Sequence, residues 1–398
     1  MSLIIFSLMS GNIFLSIEKH LSALLLTVIF ISIAIKNERN NFIPYLLFFS
    51  ISFTSFVGLT KPLTGSHALS PIPILYGLSF FSASIAYLHK KRQLKFSDIW
   101  KVSNPLLLFT GPISLFLKDI NYKKLKNRIN YFFPFITIGL FYFVIIGSPL
   151  TVYMSLVDQT DIVSSILFAI IFEVFVYANF CGLSLLVYGF AGIIGFKIPL
   201  NFKQPFTASN IIEFWRGWHT SLSAVLKELF FKPLRNKIGI FFTLIVVYLS
   251  SAMWHGISIN FLLWGFFHAI IFYATILIYR LKIPFLKFFS PLLMFIAVIF
   301  GRLLFADSDY TRLIEKLKFE FVDYNALSIF LHKPSTSLIA LLLGMILILI
   351  EFVFRENKYI KKRNYKHLRL PISQFILMVI FVLLAINLGA NYAIYGQR

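Results

Sequence analysis

Apolar runs of membrane-spanning length alternate with short polar loops along most of the chain. Residues 131–156, 162–194, 238–254, 257–279, 284–305, 336–354 and 371–395 are each near the length of a helix that crosses a bilayer. Candidates at 2–16, 21–35, 42–60 and 71–88 bring the expected total to about eleven. The alternating segments of about ten residues that mark a membrane β-barrel are absent. The predicted class is therefore all-α, a polytopic helical membrane protein. The start "MSLIIFSLMSGNIF" lacks a basic leader region and reads as a first anchor segment.

Two stretches break the pattern. Residues 104–117, "NPLLLFTGPISLFL", are too short to cross, lie between basic clusters and contain Pro105 and Gly111-Pro112. They read either as a re-entrant hairpin buried in protein or as an amphipathic surface segment. Residues 195–237 are mixed in character. Asn210, followed by Glu213, resembles a capping box and predicts a helix from Ile211. Positions 214, 218, 222, 225 and 229 form its apolar face, and Pro233 is expected to stop it. This helix is too polar to face lipid, so it should pack on protein or line a water-accessible cavity.

Composition supports the membrane reading. The 398 residues are 58% hydrophobic and 13% charged, against about 25% charged in an ordinary soluble domain. The net charge of +21 does not point to nucleic acid, because the basic residues sit in short loops where positive-inside bias puts them. Clusters at 36–39, 90–95, 118–128 and 355–369 should face the cytoplasm, and the acidic "VDQTD" at 157–161 the other side. A single cysteine, Cys181, rules out an intramolecular disulfide and any cysteine-based metal cluster.

Ionisable groups inside a membrane are costly and face the bundle interior or a cavity. In the middle of the chain these are Glu173, Glu213, Arg216, His219, His255 and His268, together with the polar Asn179. His219 and His255 each follow a tryptophan, Trp218 and Trp254. A desolvated imidazole favours its neutral form and can accept a proton. Such a base would take the proton of an acceptor hydroxyl attacking a thioester carbonyl, while a second histidine or amide orients it or stabilises the oxyanion. The plain alternative is that each buried histidine hydrogen-bonds a neighbouring helix, and the residues alone leave both open. No His-x-x-x-His pair or carboxylate set suggests a metal site.

Three blocks, read in order, resemble the membrane-bound O-acyltransferase family, in particular its bacterial alginate O-acetyltransferase-like branch. They are "YANFCGLSLLVYGFAGIIGFKIPLNFKQPF" (177–206), "EFWRGWHTSLS" (213–223) and "MWHGISINFLLWGFFHA" (253–269). Weaker echoes are "GLSFFSASIAY" (77–87), "FTGPIS" (109–114), "GRLLFADS" (301–308) and the ending "LGANYAIYGQ". The resemblance implies one membrane domain over 1–398 with a catalytic core at 177–272, residues 1–70 carrying no readable signature. It implies a central funnel between the cytoplasm and the outer face. It assigns the catalytic roles to His255 and His219, with Trp254, Trp218, Asn179 and His268 in support.

The activity it implies is transfer of an acyl group, acetyl by expectation, from acetyl-CoA or another thioester donor to a hydroxyl of an envelope polysaccharide. No permanently bound cofactor and no metal is expected. A separate periplasmic esterase-fold transferase, membrane lipid and the polysaccharide acceptor are the expected partners, and the bacterial inner membrane the expected location. The chain departs from relatives at "NFCGLSL" (179–185), where Asn179 and Leu185 replace acids, and at Ser114, where a basic residue is common. Leu185 also occurs in the D-alanyl-transfer branch. A proton-coupled transporter and a non-catalytic scaffold are the competing classes; no internal duplication speaks for the transporter.

Overall fold

The computed structural model describes Tyr45 and residues 123–385, apart from 197, 256–257, 283 and 321–324. The expected spans before residue 90, the segment 104–117, Ser114 and the echoes at 77–87, 109–114 and the C-terminus lie outside the described residues. Among these residues the secondary structure is helical, and five helices are long and apolar enough to cross a membrane.

The first span runs from Leu125 to Asp158. It was expected as one regular helix, but only α1 (Leu125–Leu140) is α-helical. The chain then widens to a π-helix at Phe141–Gly147 and tightens to a 3₁₀-helix at Ser148–Asp158. The second span, α2 (Ile162–Ile194), is about 50 Å long at 1.5 Å per residue. Asp161 caps its start by accepting the Ser164 N–H at 2.9 Å. Gly195, at φ 106°, ends it in the left-handed conformation glycine tolerates best. α2 is apolar on all sides because it is the central helix, buried along most of its length. It meets the first span through glycines. A Cβ on Gly139 would stand 2.8 Å from Gly182 O, and one on Gly182 would stand 2.7 Å from Phe143 N, so larger side chains would force the two backbones apart.

After α2, the short α3 (Ile211–Gly217) and α4 (Thr220–Leu226) replace the single helix that periodicity suggests. The capping expectation holds: Asn210 Oδ1 accepts the Glu213 N–H at 3.0 Å, and the helix begins at Ile211. Pro233 does not stop the helix. It lies within a last helical turn, Lys232–Leu234, beyond a π-helical stretch at Lys227–Phe231. All five positions of the expected apolar face are nonetheless buried, so the face survives the break between α3 and α4.

The remaining helices are α5 (Gly239–His255), α6 (Ile259–Arg280), α7 (Pro284–Ala306), α8 (Tyr310–Leu317), α9 (Asn325–Leu331), α10 (Ser335–Val353) and α11 (Pro371–Ala385). Long helices alternate in direction, which sorts the loops to two ends. The end holding 198–238, 280–282 and 354–370 is strongly basic. The other holds 157–161 and 306–320, where Asp307 accepts from Arg312 Nε and from Lys316 Nζ, each at 2.7 Å. Arg312 also reaches Asp158 at 2.8 Å, tying the acidic loop to α8. By positive-inside bias the basic end is the one expected to face the cytoplasm.

Candidate active site

A cavity of about 540 Å³ follows one face of α5. Ile240, Leu244, Val247, Tyr248, Ser251 and His255 line it in succession, a helical spacing covering about 22 Å of rise. At the basic end its walls include the exposed side chains of Arg216, Lys227, Arg235 and Arg280. At the inner end they include His219, His255, Arg302 and Phe305. The cavity thus begins among cations and ends among imidazoles.

His219 sits at the break between α3 and α4, with φ 44°. A left-handed backbone is uncommon for a residue with a side chain and persists only where its surroundings impose it. Here the imposing element is the irregular segment 200–203. Lys203 N–H donates to Gly217 O at 2.8 Å, Thr220 N–H to Asn201 O at 2.9 Å, and Thr220 Oγ1 to Leu200 O at 2.7 Å. Gly217 suits this lacing, since a Cβ there would stand 3.1 Å from Lys203 O and press the two segments apart by a few tenths of an ångström.

Asn201 Oδ1 then gathers the Ser221 N–H at 3.1 Å, the Ser221 hydroxyl at 2.8 Å and His219 Nδ1 at 3.2 Å. An acceptor on Nδ1 makes that nitrogen the protonated one, so Nε2 carries the lone pair. The ring is turned by an amide, as a base needs. Its edge packs on Phe180 at 4.9 Å and on Trp254 at 5.7 Å between centroids.

His255 ends α5 and lines the cavity. Its ring lies between Trp254 (4.9 Å), Phe305 (4.9 Å) and Trp264 (5.9 Å). Its Nδ1 has no hydrogen-bond partner among the described residues. Trp254 therefore bridges the two histidines through ring contacts, and Trp218 packs on Phe202 and Phe214 beneath the same site. His268 is brought near but does not line the cavity. It stands behind Trp215 (5.0 Å) and Trp264 (5.1 Å), against Gly301, where a Cβ would meet its Nε2 at 2.4 Å. Asn179 is fully buried on α2 against the Gly147 backbone; its neighbours Val176 and Phe180 reach the cavity instead.

Two residues of the site escaped the sequence reading. Asn201 stood in the quoted block 177–206 without a role. Arg302, with Lys287 one of two cations in the apolar run 284–305, pairs with Glu173 on α2 and lies over the Trp218 ring at 4.7 Å. An arginine inside an apolar run was a usable signal. Among the described residues, no group of three or more His, Cys, Asp or Glu side chains is placed to hold a metal.

These features define a multi-pass helical membrane protein whose inward cavity ends on paired histidines. Residues 117–305 match the family model for membrane-bound O-acyltransferases, and the chain carries a domain of that family. It is 37% identical to the peptidoglycan O-acetyltransferase of Helicobacter pylori over 98 residues, 24% of this chain and 19% of that protein. It is 38% identical over 96 residues to the "Probable alginate O-acetylase AlgI" of Azotobacter vinelandii, 23% of this chain and 19% of the relative. To the teichoic acid D-alanyltransferase of Bacillus subtilis it is 27% identical over 155 residues, 34% of this chain and 38% of the relative. The matched stretches span between about a fifth and two fifths of these relatives' lengths.

Proposed function

We propose that this protein is an O-acyltransferase of the inner membrane. It moves an acyl group, acetyl first among the candidates, from a cytoplasmic thioester such as acetyl-CoA to a hydroxyl of an envelope polysaccharide or to a periplasmic partner transferase. The supporting observation is the cavity that leads from the cationic rim to His219 and His255. A rim of cations attracts an anionic carrier, and a desolvated imidazole at the inner end serves as general base.

In this reading His255, whose Nδ1 is not engaged by the described residues, takes the acceptor proton. His219, fixed by Asn201, orients the acceptor hydroxyl or shares the proton. The relatives named for peptidoglycan and alginate favour acetyl. The longer aligned stretch with the D-alanyltransferase, together with the buried Leu185, favours D-alanyl transfer as the second reading.

His255→Ala decides whether the site is catalytic. Envelope ester should fall near background, as loss of a general base costs about 10²–10⁴ in rate, while the protein accumulates in membranes at wild-type level. Wild-type ester content in a well-expressed variant would overturn the assignment. Mass analysis of the acyl group released by alkali separates acetyl from D-alanyl.

A further inference from the structure

Arg302 lies just before the last turn of α7, at the inner end of the cavity. Its Nε donates to Glu173 Oε2, and both residues are buried. Arginine commonly engages a carboxylate through two parallel hydrogen bonds. This pair is joined through Nε alone, and Glu173 Oε1 makes no hydrogen bond among the described residues. The guanidinium has five N–H donors, and among the described residues the one to Glu173 is the only one used. Arg302 lines the cavity, so its unused donors are open to an oxygen supplied by a ligand there.

The position fits that role. The guanidinium lies over Trp218, which precedes His219, and 5.9 Å from the Phe305 ring, which packs on His255. The cation thus lies against one ring beside each histidine, Trp218 next to His219 in the chain and Phe305 packed on His255.

We propose that the Nη nitrogens of Arg302 donate to the thioester carbonyl oxygen as it becomes the tetrahedral oxyanion, with Glu173 as the positioning residue that aims them. The inference rests on the acyl-transfer reading. In the step, His255 takes the hydroxyl proton of the acceptor as its oxygen bonds to the carbonyl carbon. The carbonyl electron pair moves to oxygen, where Arg302 holds it. Collapse of this intermediate breaks the C–S bond, and the thiolate leaves with the proton returned from His255. A guanidinium already fixed in a dry site gains most where charge develops.

The test uses inside-out vesicles from a strain lacking the native gene, complemented with the full chain, which retain the native acceptor and any partner. Radiolabelled acetyl-CoA is added, and alkali-labile label in the envelope fraction is counted. No label from the wild type overturns the acetyl-transfer reading, and this inference about the acetyl carbonyl with it. With the wild type active, Arg302→Met/Glu173→Leu replaces the pair by apolar side chains of similar size, an exchange that buried ion pairs often tolerate. Its turnover should fall about 10²–10³-fold, with KM for acetyl-CoA little changed. Arg302→Lys keeps the charge for Glu173 but loses the fork, and should fall similarly while accumulating normally. Wild-type turnover in either variant overturns the role of Arg302 and leaves the acyl-transfer reading standing.

Discussion

Replacing Asn201 by alanine should separate the orientation of His219 from its presence. Asn201, His219 and Ser221 are all buried, and Asn201 Oδ1 accepts from all three donors described above. After the substitution the Ser221 hydroxyl can turn toward His219 Nδ1, 3.4 Å away. The Ser221 N–H and the His219 N–H are left competing for water. At about 1–3 kcal/mol for each stranded buried donor, the loss is roughly 2–6 kcal/mol, nearer the lower figure if water enters the vacated space.

The chemical effect is distinct from this. Without an acceptor at Nδ1 the imidazole populates both tautomers, and its orientation is no longer set. Removal of an orienting partner of this kind typically lowers activity about 10–100-fold. Thermal unfolding in detergent reports the first effect, and label incorporation from acetyl-CoA in vesicles reports the second. Asn201→Asp retains the acceptor and should recover most turnover, with the alanine variant well below it. Equal turnover in the wild type and Asn201→Ala, with the alanine protein fully folded, would refute the claim that Asn201 sets the base.

The cationic rim gives a further prediction, sharpened by the structure. The basic stretch 227–237 carries Lys227, Lys232, Arg235 and Lys237, but Lys232 pairs with Glu228 at 2.7 Å, and Arg216 and Arg280 join Lys227 and Arg235 on the cavity wall. Neutralising Arg216, Lys227, Arg235 and Arg280 should raise the donor KM with little change in kcat. The effect should shrink as salt rises from about 0.1 M to about 1 M and the Debye length falls from about 10 to 3 Å; a salt-independent KM would count against steering. Topology is checked by single cysteines in a Cys181→Ser background, the native thiol being buried. The exposed positions Lys358→Cys and Lys318→Cys should label from opposite faces of the membrane, Lys358→Cys from the cytoplasm.

What the sequence by itself determined is what local chemistry encodes. Span lengths, the direction of the charge bias and the cap at Asn210 depend on neighbours in the chain, so 162–194 and 284–305 appear almost unchanged as α2 and α7. The Trp-His pairs were legible as well, because an imidazole in an apolar run needs a reason wherever it ends up. Tertiary structure decided the rest. The break before α4 arises because residues 200–203 capture the backbone at Gly217 and Thr220, a competition that helical periodicity does not record. Asn201 is a site residue because of what folds against it. Glu173 and Arg302 lie 129 positions apart, and neither the pairing nor the spare guanidinium donors exist until α2 and α7 pack together. Periodicity specifies which face of a helix is buried, whereas the partner across that face is fixed only when the helices meet.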